Sequence, residues 1–103
     1  MIKVLIKTRK KEIMGFTIEG HANFDSYGSD IVCAAVSMLS YTVINALDYY
    51  KKDLYFSDDD EKMSLLLSDN TKETSVILKT FEIGIKTLLE NYSDYINLKY
   101  EEV

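Results

Sequence analysis

The sequence predicts an α+β fold with the element order ββαββαβ, in which two helices pack on a mainly antiparallel sheet. Short runs of alternating apolar and polar residues are typical of strands, and here they come in pairs separated by charged turns. Two longer stretches carry apolar residues at helical spacing. With 103 residues and no linker or low-complexity tract, the chain is expected to form a single domain, residues 1–103, with its own core.

The first predicted hairpin lies at the N-terminus, with its turn in the charged stretch 9–12. The alternating apolar residues of its two strands are Ile2, Val4, Ile6, Met14, Phe16 and Ile18. Gly20 follows the second strand, and residues 21–30 are mostly small or polar. We therefore predict a loop between this hairpin and the next element.

A long helix is predicted from Ile31, because the stretch IVCAAVSMLSYTVINALDYYKK contains neither Gly nor Pro. Either Ser29 or Asp30 can cap it, since both side chains accept hydrogen bonds from the first turn. Apolar residues cover most of its circumference, so we expect it to lie near the centre of the molecule. Its polar stripe comprises Asp30, Ser37, Tyr41, Asn45 and Asp48.

The second half of the chain repeats the pattern of hairpin and helix. Apolar runs on either side of Asp58–Glu61 predict a hairpin with an acidic tip. Asn70 and Glu73 resemble a capping box for a second helix, and a last strand is expected over Ile96–Tyr100. One face of this helix would contain Ile77, Phe81, Gly84, Ile85, Leu88 and Tyr92.

The composition narrows the classes of function. Twelve basic and 17 acidic residues give a net charge of −5, which disfavours nucleic acids and anionic membranes as partners. One Cys cannot form an internal disulfide, which fits a reducing, cytoplasmic setting. The N-terminus lacks the apolar block of a signal peptide and no segment is interpreted as a membrane span, so we expect a soluble protein that is not exported.

No metal or other cofactor is expected. One His and one Cys offer too few ligands for a zinc site. The acidic residues 58–61 lack the alternating ligands and the glycine of a calcium-binding loop, so they are interpreted as a solvated hairpin tip.

The stretch GHANFDSYGSDIVCAAVS, residues 20–37, contains the only His and the only Cys. Cys33 falls in the first turn of the predicted helix, where unpaired N–H groups and the helix dipole favour a thiolate. His21 lies twelve residues earlier, and a loop of that length can bring its imidazole to the thiol, as cysteine-dependent acyl transfer requires. On spacing alone, a packed Cys and an unrelated loop His are the commoner arrangement.

Neighbouring residues are candidates for supporting roles. Asp30 or Asp25 can orient the imidazole, and the residues alone leave open which of them does so. The oxyanion donors can be N–H groups around Cys33 and Ala34 or an N–H of the loop. Ser37, one helical turn beyond the thiol, can line the floor of the site.

This stretch resembles the signature of the ribosomal-processing cysteine protease family Prp. The signature is Gly-His-Ala, a short variable loop, and then Gly-x-Asp-Ile-Val-Cys-Ala followed by two small residues and Ser. The matching residues are Gly20, His21, Ala22, Gly28, Asp30, Ile31, Val32, Cys33, Ala34, Ala35, Val36 and Ser37. The chain length and the predicted element order are also similar to the family.

The resemblance implies a bacterial cytoplasmic peptidase. Its substrate would be the N-terminal extension of a large-subunit ribosomal protein of the bL27 type, cut after a pair of aromatic residues. Cys33 would be the nucleophile and His21 the base, with Gly20, Asp30 and Ser37 near the site. The family also forms homodimers, and an apolar helix at residues 31–47 is compatible with a second subunit.

The loop that carries Ala22, Asp25 and Gly28 would have to move to admit the substrate, which makes it a candidate lid. The competing interpretation is a non-catalytic dimeric module that binds a ribosomal protein or an assembly factor, with the cysteine merely packed.

Overall fold

The computed structural model describes residues 1–26, 28–51 and 53–103. Its elements are β1 (Ile2–Arg9), β2 (Glu12–Glu19), α1 (Ile31–Tyr50), β3 (Leu54–Asp58), β4 (Lys62–Leu67), α2 (Lys72–Tyr92) and β5 (Ile96–Glu102). The strands form one sheet in the order β3-β4-β2-β1-β5. β1 and β5 are parallel and the other neighbouring strands are antiparallel. The predicted α+β fold and element order are confirmed.

Both helices and the sheet contribute to a single hydrophobic core. Alternate residues are buried over Ile2–Ile6 of β1 and over Met63–Leu67 of β4, as expected for strands with one covered face. At the centre, Phe16 of β2 stacks on Phe81 of α2 with ring centroids 4.0 Å apart. Because β2 is anchored in the core, the start of the loop that follows it has a defined position.

The prediction that the first helix lies near the centre is wrong. The sheet and α2 cover one side of α1, which buries Val32, Val36, Ser40, Val43, Ile44 and Leu47. On its uncovered side, Ile31 is 55% and Met38 is 71% exposed. Hydrophobic composition alone does not show how many neighbours a helix has.

The interpretation that no segment resembles a membrane span also needs correction. By length and composition alone, α1 is long and apolar enough to cross a bilayer. The core helix of a soluble protein passes the same test, and one face of α1 belongs to the core.

The first helix is capped by Asp30, one of the two predicted candidates. The last strand is two residues longer than predicted and extends to Glu102. The reason is that β1 offers pairing partners up to Thr8, which lies beside Glu102.

The capping box of α2 lies one residue beyond the predicted one. Thr71 is the N-cap, and Thr71 and Thr74 exchange the two side chain to backbone bonds that were expected of Asn70 and Glu73. The side chain of Asn70 instead joins this turn to β2, because its Nδ2 donates to the carbonyl of Ile13 at 2.8 Å. Threonine hydroxyls form the same reciprocal cap, so the register could not be fixed from residue type.

Glu82 of α2 is a buried carboxylate that accepts hydrogen bonds from Lys79 Nζ at 2.7 Å and Tyr100 Oη at 2.5 Å. Burial by itself would raise the pKa of Glu82, but Lys79 and Tyr100 hold this pKa below its usual value. Burial and the bond to Glu82 raise the pKa of Tyr100 to about 12. The hydrogen bond between Tyr100 and Glu82 ties β5 to α2.

Replacing Glu82 by glutamine is expected to lower the free energy of unfolding at pH 7 by roughly 1.5–3 kcal/mol, the usual contribution of hydrogen bonds to a charged group. Because the folded-state pKa is depressed, this contribution is present above the ordinary value of 4.5 and is lost as pH falls through the folded value. Urea unfolding should show the gap between wild type and Glu82→Gln narrowing from pH 7 to pH 3. The exposed Glu90→Gln is the control, and an equal narrowing there would contradict the assignment.

Candidate active site

Asp30 organises the loop that precedes α1. Its Oδ1 accepts hydrogen bonds from the N–H groups of Val32 and Cys33, both at 3.0 Å. Its Oδ2 accepts hydrogen bonds from the N–H groups of Phe24, at 3.0 Å, and of Asp25, at 3.3 Å. Burial would raise the pKa of Asp30, but these four bonds hold it below its usual value. One ionised side chain therefore both caps the helix and fastens the loop to it.

The thiol of Cys33 is free and partly buried in the first turn of α1. The N–H of Ala22 donates to its Sγ at 3.4 Å. The loop after β2 therefore contacts the sulfur directly through a backbone donor.

Gly20 turns the chain from β2 towards this thiol. Its φ is +88°, in the region that favours glycine, and a Cβ at this position would lie 2.5 Å from the carbonyl oxygen of Met1. Glycine is therefore required both by the backbone angle and by the close approach of the neighbouring chain.

His21 and Cys33 line the same open cleft, which has a volume of about 670 Å³. Other predicted site residues that line it are Gly20, Asp25, Gly28, Asp30, Ala34 and Ser37. Ala22 is buried beside the cleft and reaches the site through its amide. Residues predicted from one sequence motif thus converge on one cavity.

The imidazole of His21 is exposed, and within the described part of the chain no hydrogen bond or ion pair fixes it. Neither proposed carboxylate orients it. Asp30 is occupied by the four amides, and Asp25 Oδ1 accepts from the N–H of Ser26 at 2.7 Å. Catalytic hydrogen bonds are often loose without substrate, so the placement in one cleft is the relevant observation.

The predicted oxyanion donors at the start of the helix are also engaged. The N–H of Cys33 bonds to Asp30 Oδ1, and the N–H of Ala34 donates to the carbonyl of Asp30 at 3.0 Å. These groups complete the helix cap and are not directed at the cleft. The other predicted source of an oxyanion donor is an N–H group of the loop between β2 and α1.

The loop after β2 is held at Phe24 as well as at the carboxylate of Asp30. The ring of Phe24 meets Tyr92 and Tyr95 edge to face, with centroids 5.8 Å and 5.0 Å away. The predicted lid, residues 22–29, includes residue 27, which lies outside the described residues. Its first part, up to Asp25, is fastened in place, so lid movement stays a prediction for the remainder.

The acidic tip, Asp58–Glu61, lines the same cleft as the thiol, which the sequence interpretation missed. The pairing of β4 with β2 carries the tip there, with Lys62 beside Glu19 at the end of β2. Tyr41 Oη, two turns beyond the thiol on α1, donates to the carboxylate of Asp58. This bond raises the pKa of Tyr41. No local signal predicts such a contact, because it depends on how the hairpin packs against α1.

The described residues contain no group of three or more His, Cys, Asp or Glu side chains arranged to hold a metal ion.

Comparison with known proteins identifies relatives across nearly the whole chain. The family described as cysteine protease Prp matches residues 1–97. The ribosomal processing cysteine protease Prp of Staphylococcus aureus is 32% identical over 88 residues, covering 82% of this chain and 83% of that protein. The Prp of Mycoplasma pneumoniae is 30% identical over 102 residues, covering 96% and 94% of the two chains.

A crystal structure of the essential S. aureus Prp in complex with a covalently linked product peptide superposes with a TM-score of 0.91. It is 29% identical and covers 98% of this chain and 100% of that one. Fold, cleft and relatives together define a cysteine protease. The chain belongs to the cysteine protease Prp family. The competing interpretation of a non-catalytic module is therefore not supported.

Proposed function

We propose that this protease removes the N-terminal extension of a large-subunit ribosomal protein of the bL27 type, with Cys33 as nucleophile and His21 as base. The observation that carries the proposal is that His21 and Cys33 line the same cleft beside the start of α1. The free thiol fits the reducing conditions of a cytoplasmic enzyme.

The proposed reaction has two stages. The Cys33 thiolate attacks the scissile carbonyl carbon, and the tetrahedral intermediate collapses as the C–N bond breaks and His21 gives its proton to the leaving amine. Water then attacks the thioester while the imidazole takes a proton from it, and the C–S bond breaks to restore the thiolate. His21 lies at the exposed end of β2, where it can serve both stages.

The lining of the cleft suits the proposed substrate. Apolar side chains of Ile2, Ile18, Val36 and Met63 offer contacts for a pair of aromatic residues. The acidic tip adds negative charge to the same cleft, and proteins that bind ribosomal RNA generally carry lysine and arginine. The S. aureus relative is named for ribosomal processing and was crystallised with a peptide, which supports a peptide ligand in this cleft.

The proposal is tested with a synthetic peptide that spans the extension of the bL27-type protein encoded in the same genome. Mass spectrometry should find one cut, directly after the paired aromatic residues. A peptide with alanines in place of the pair is the control and should stay intact. Cleavage of both peptides at the same rate would contradict the proposed specificity, and cleavage of neither would contradict the proposed substrate.

The acidic tip is expected to contribute to substrate affinity through charge. In the double variant Asp60→Asn/Glu61→Gln, two charges disappear without loss of a side-chain hydrogen bond, since the bonds of the tip are made by Asp58 and Asp59. We expect KM for a lysine-containing peptide to rise by roughly three- to tenfold, about 0.7–1.4 kcal/mol, at low salt. We expect kcat to be unchanged, because these side chains would act on binding.

The matched control is Glu90→Gln/Asp94→Asn, which removes the same charge from exposed positions outside the cleft. Steady-state kinetics at several salt concentrations should show a shallower salt dependence of kcat/KM only for the cleft variant. An equal change in both double variants would indicate an effect of net charge and would contradict a local role.

We also propose that two copies associate through the uncovered side of α1. Ile31 and Met38 expose apolar surface there, and such surface favours association. Sedimentation across a range of protein concentrations measures this directly, and a monomer at every concentration would refute it.

A further inference from the structure

The amide of Ala22 is the only backbone donor that the described residues place on the thiol. We propose that this N–H stabilises the Cys33 thiolate in the resting enzyme and then stabilises the oxyanion of the tetrahedral intermediate. The inference rests on the proposed function of Cys33 as nucleophile.

The amides of Val32, Cys33 and Ala34 are not available as oxyanion donors while the cap of α1 is intact. The amides of Val32 and Cys33 share Asp30 Oδ1, and the amide of Ala34 bonds to the carbonyl of Asp30. Releasing any of them would break a bond that holds the helix or the loop. The amide that does contact the sulfur belongs to the loop after β2.

The amide of Ala22 is held rigidly in its position. The Ala22 side chain is only 3% exposed and belongs to the core. On one side, Gly20 is fixed against the carbonyl of Met1, and on the other, the amide of Phe24 is bound by Asp30. A donor fixed in advance needs no reorganisation when charge develops, which is what makes such donors effective in catalysis.

The movement of charge during acylation explains how one amide can serve twice. As the thiolate forms its bond to the carbonyl carbon, the π pair of the C=O bond moves onto oxygen, so the negative charge passes from sulfur to oxygen. The new oxyanion is bonded to the same carbon as the sulfur and forms beside it. The N–H of Ala22 can therefore pass from the Cys33 sulfur to the oxyanion beside it. This exchange breaks none of the hydrogen bonds that hold the helix start or the loop.

Replacing the amide between His21 and Ala22 by an ester tests this directly. The ester is introduced as lactic acid, which keeps the methyl group of Ala22 and removes only the N–H. Because Cys33 is the only cysteine, fragments 1–32 and 33–103 can be joined by chemical ligation at that residue. The control ester replaces Ala46, which lies in α1 outside the residues that line the cleft, and an all-amide synthetic chain is the reference.

We expect acylation by the Ala22 ester to be slower by about 10²–10³-fold, the usual effect of losing one oxyanion donor. Acylation needs the thiolate and the protonated imidazole together, so each protein is compared at the maximum of its own pH–rate profile. A change in thiol ionisation alone mainly moves that maximum along the pH axis, so a deficit of this size at the maximum reports the transition state. The pH dependence of iodoacetamide alkylation should also move to higher pH in the Ala22 ester. The Ala46 ester should match the all-amide chain in both measurements.

Each other outcome has a defined meaning. A normal maximal rate with a shifted alkylation profile would limit the amide to stabilising the thiolate and overturn its role at the oxyanion. A normal rate with a normal profile would overturn both roles. If the all-amide chain itself fails to cleave the extension peptide, the proposed function fails, and this inference fails with it.

Discussion

Replacing Cys33 by alanine is expected to abolish peptide cleavage while leaving the fold intact. The thiol is partly buried, accepts one hydrogen bond from the amide of Ala22 and packs at the edge of the core. Alanine keeps the Cβ and removes one sulfur atom, so little packing is lost. Loss of a protease nucleophile lowers kcat on the order of 10⁶-fold. The measurement is peptide turnover by mass spectrometry, with thermal unfolding as the check on folding.

Replacing His21 by alanine completes this test. General acid and base catalysis contributes roughly 10²–10⁴-fold, so His21→Ala should reduce turnover by about that factor and should slow alkylation of the thiol by iodoacetamide at pH 6. Cleavage by Cys33→Ala at the wild-type rate would exclude this thiol as the nucleophile. Undiminished turnover in His21→Ala would exclude the imidazole as the base.

Replacing Asp30 by asparagine is expected to lower kcat/KM by about 10²-fold, although this side chain makes no proposed contact with the reacting atoms. An amide has one acceptor oxygen in place of two, so it cannot hold the helix start and the loop together. The loop amide of Ala22 and the thiol would then lose their relative position, and small displacements of catalytic groups have effects of this size.

The pH dependence of stability tests the four hydrogen bonds of Asp30 to the helix start and the loop independently of activity. Its pKa is lower in the folded chain, so the stabilisation is present above the ordinary value of 3.8 and is lost as pH falls through the folded value. Thermal unfolding should show a lower Tm for Asp30→Asn at pH 7 and a smaller difference from wild type near pH 3. Asp48→Asn, an exposed substitution on the same helix, is the control. A constant difference across pH would contradict this role of the four hydrogen bonds.

Features set by local sequence could be predicted well. The alternation over Ile2–Ile6 of β1 depends only on which face of the strand meets the core, and the motif 20–37 predicts a thiol at a helix start after a loop histidine. Asp30 is one of two caps that the sequence predicts, and its hydrogen bonds to the loop are not predicted, since they require the loop to fold back onto the helix start.

Features that depend on packing between distant segments could not be predicted. The acidic tip, Asp58–Glu61, reads as a solvated turn, because nothing in those residues shows that β4 will pair with β2 beside the thiol. The hydrophobic residues of α1 suggest burial on all sides, but their number does not show that Ile31 and Met38 are exposed.

The position of β5 has a consequence for when the enzyme becomes active during its own synthesis. β5 pairs in parallel with β1, and Tyr95, just before it, supports the ring of Phe24 in the loop beside the thiol. A nascent chain that has emerged only as far as β4 therefore contains Cys33 and His21, but lacks both tyrosines that pack on Phe24. We expect the protease to become fully active only late in its translation, when an unfinished copy no longer lies among other emerging proteins.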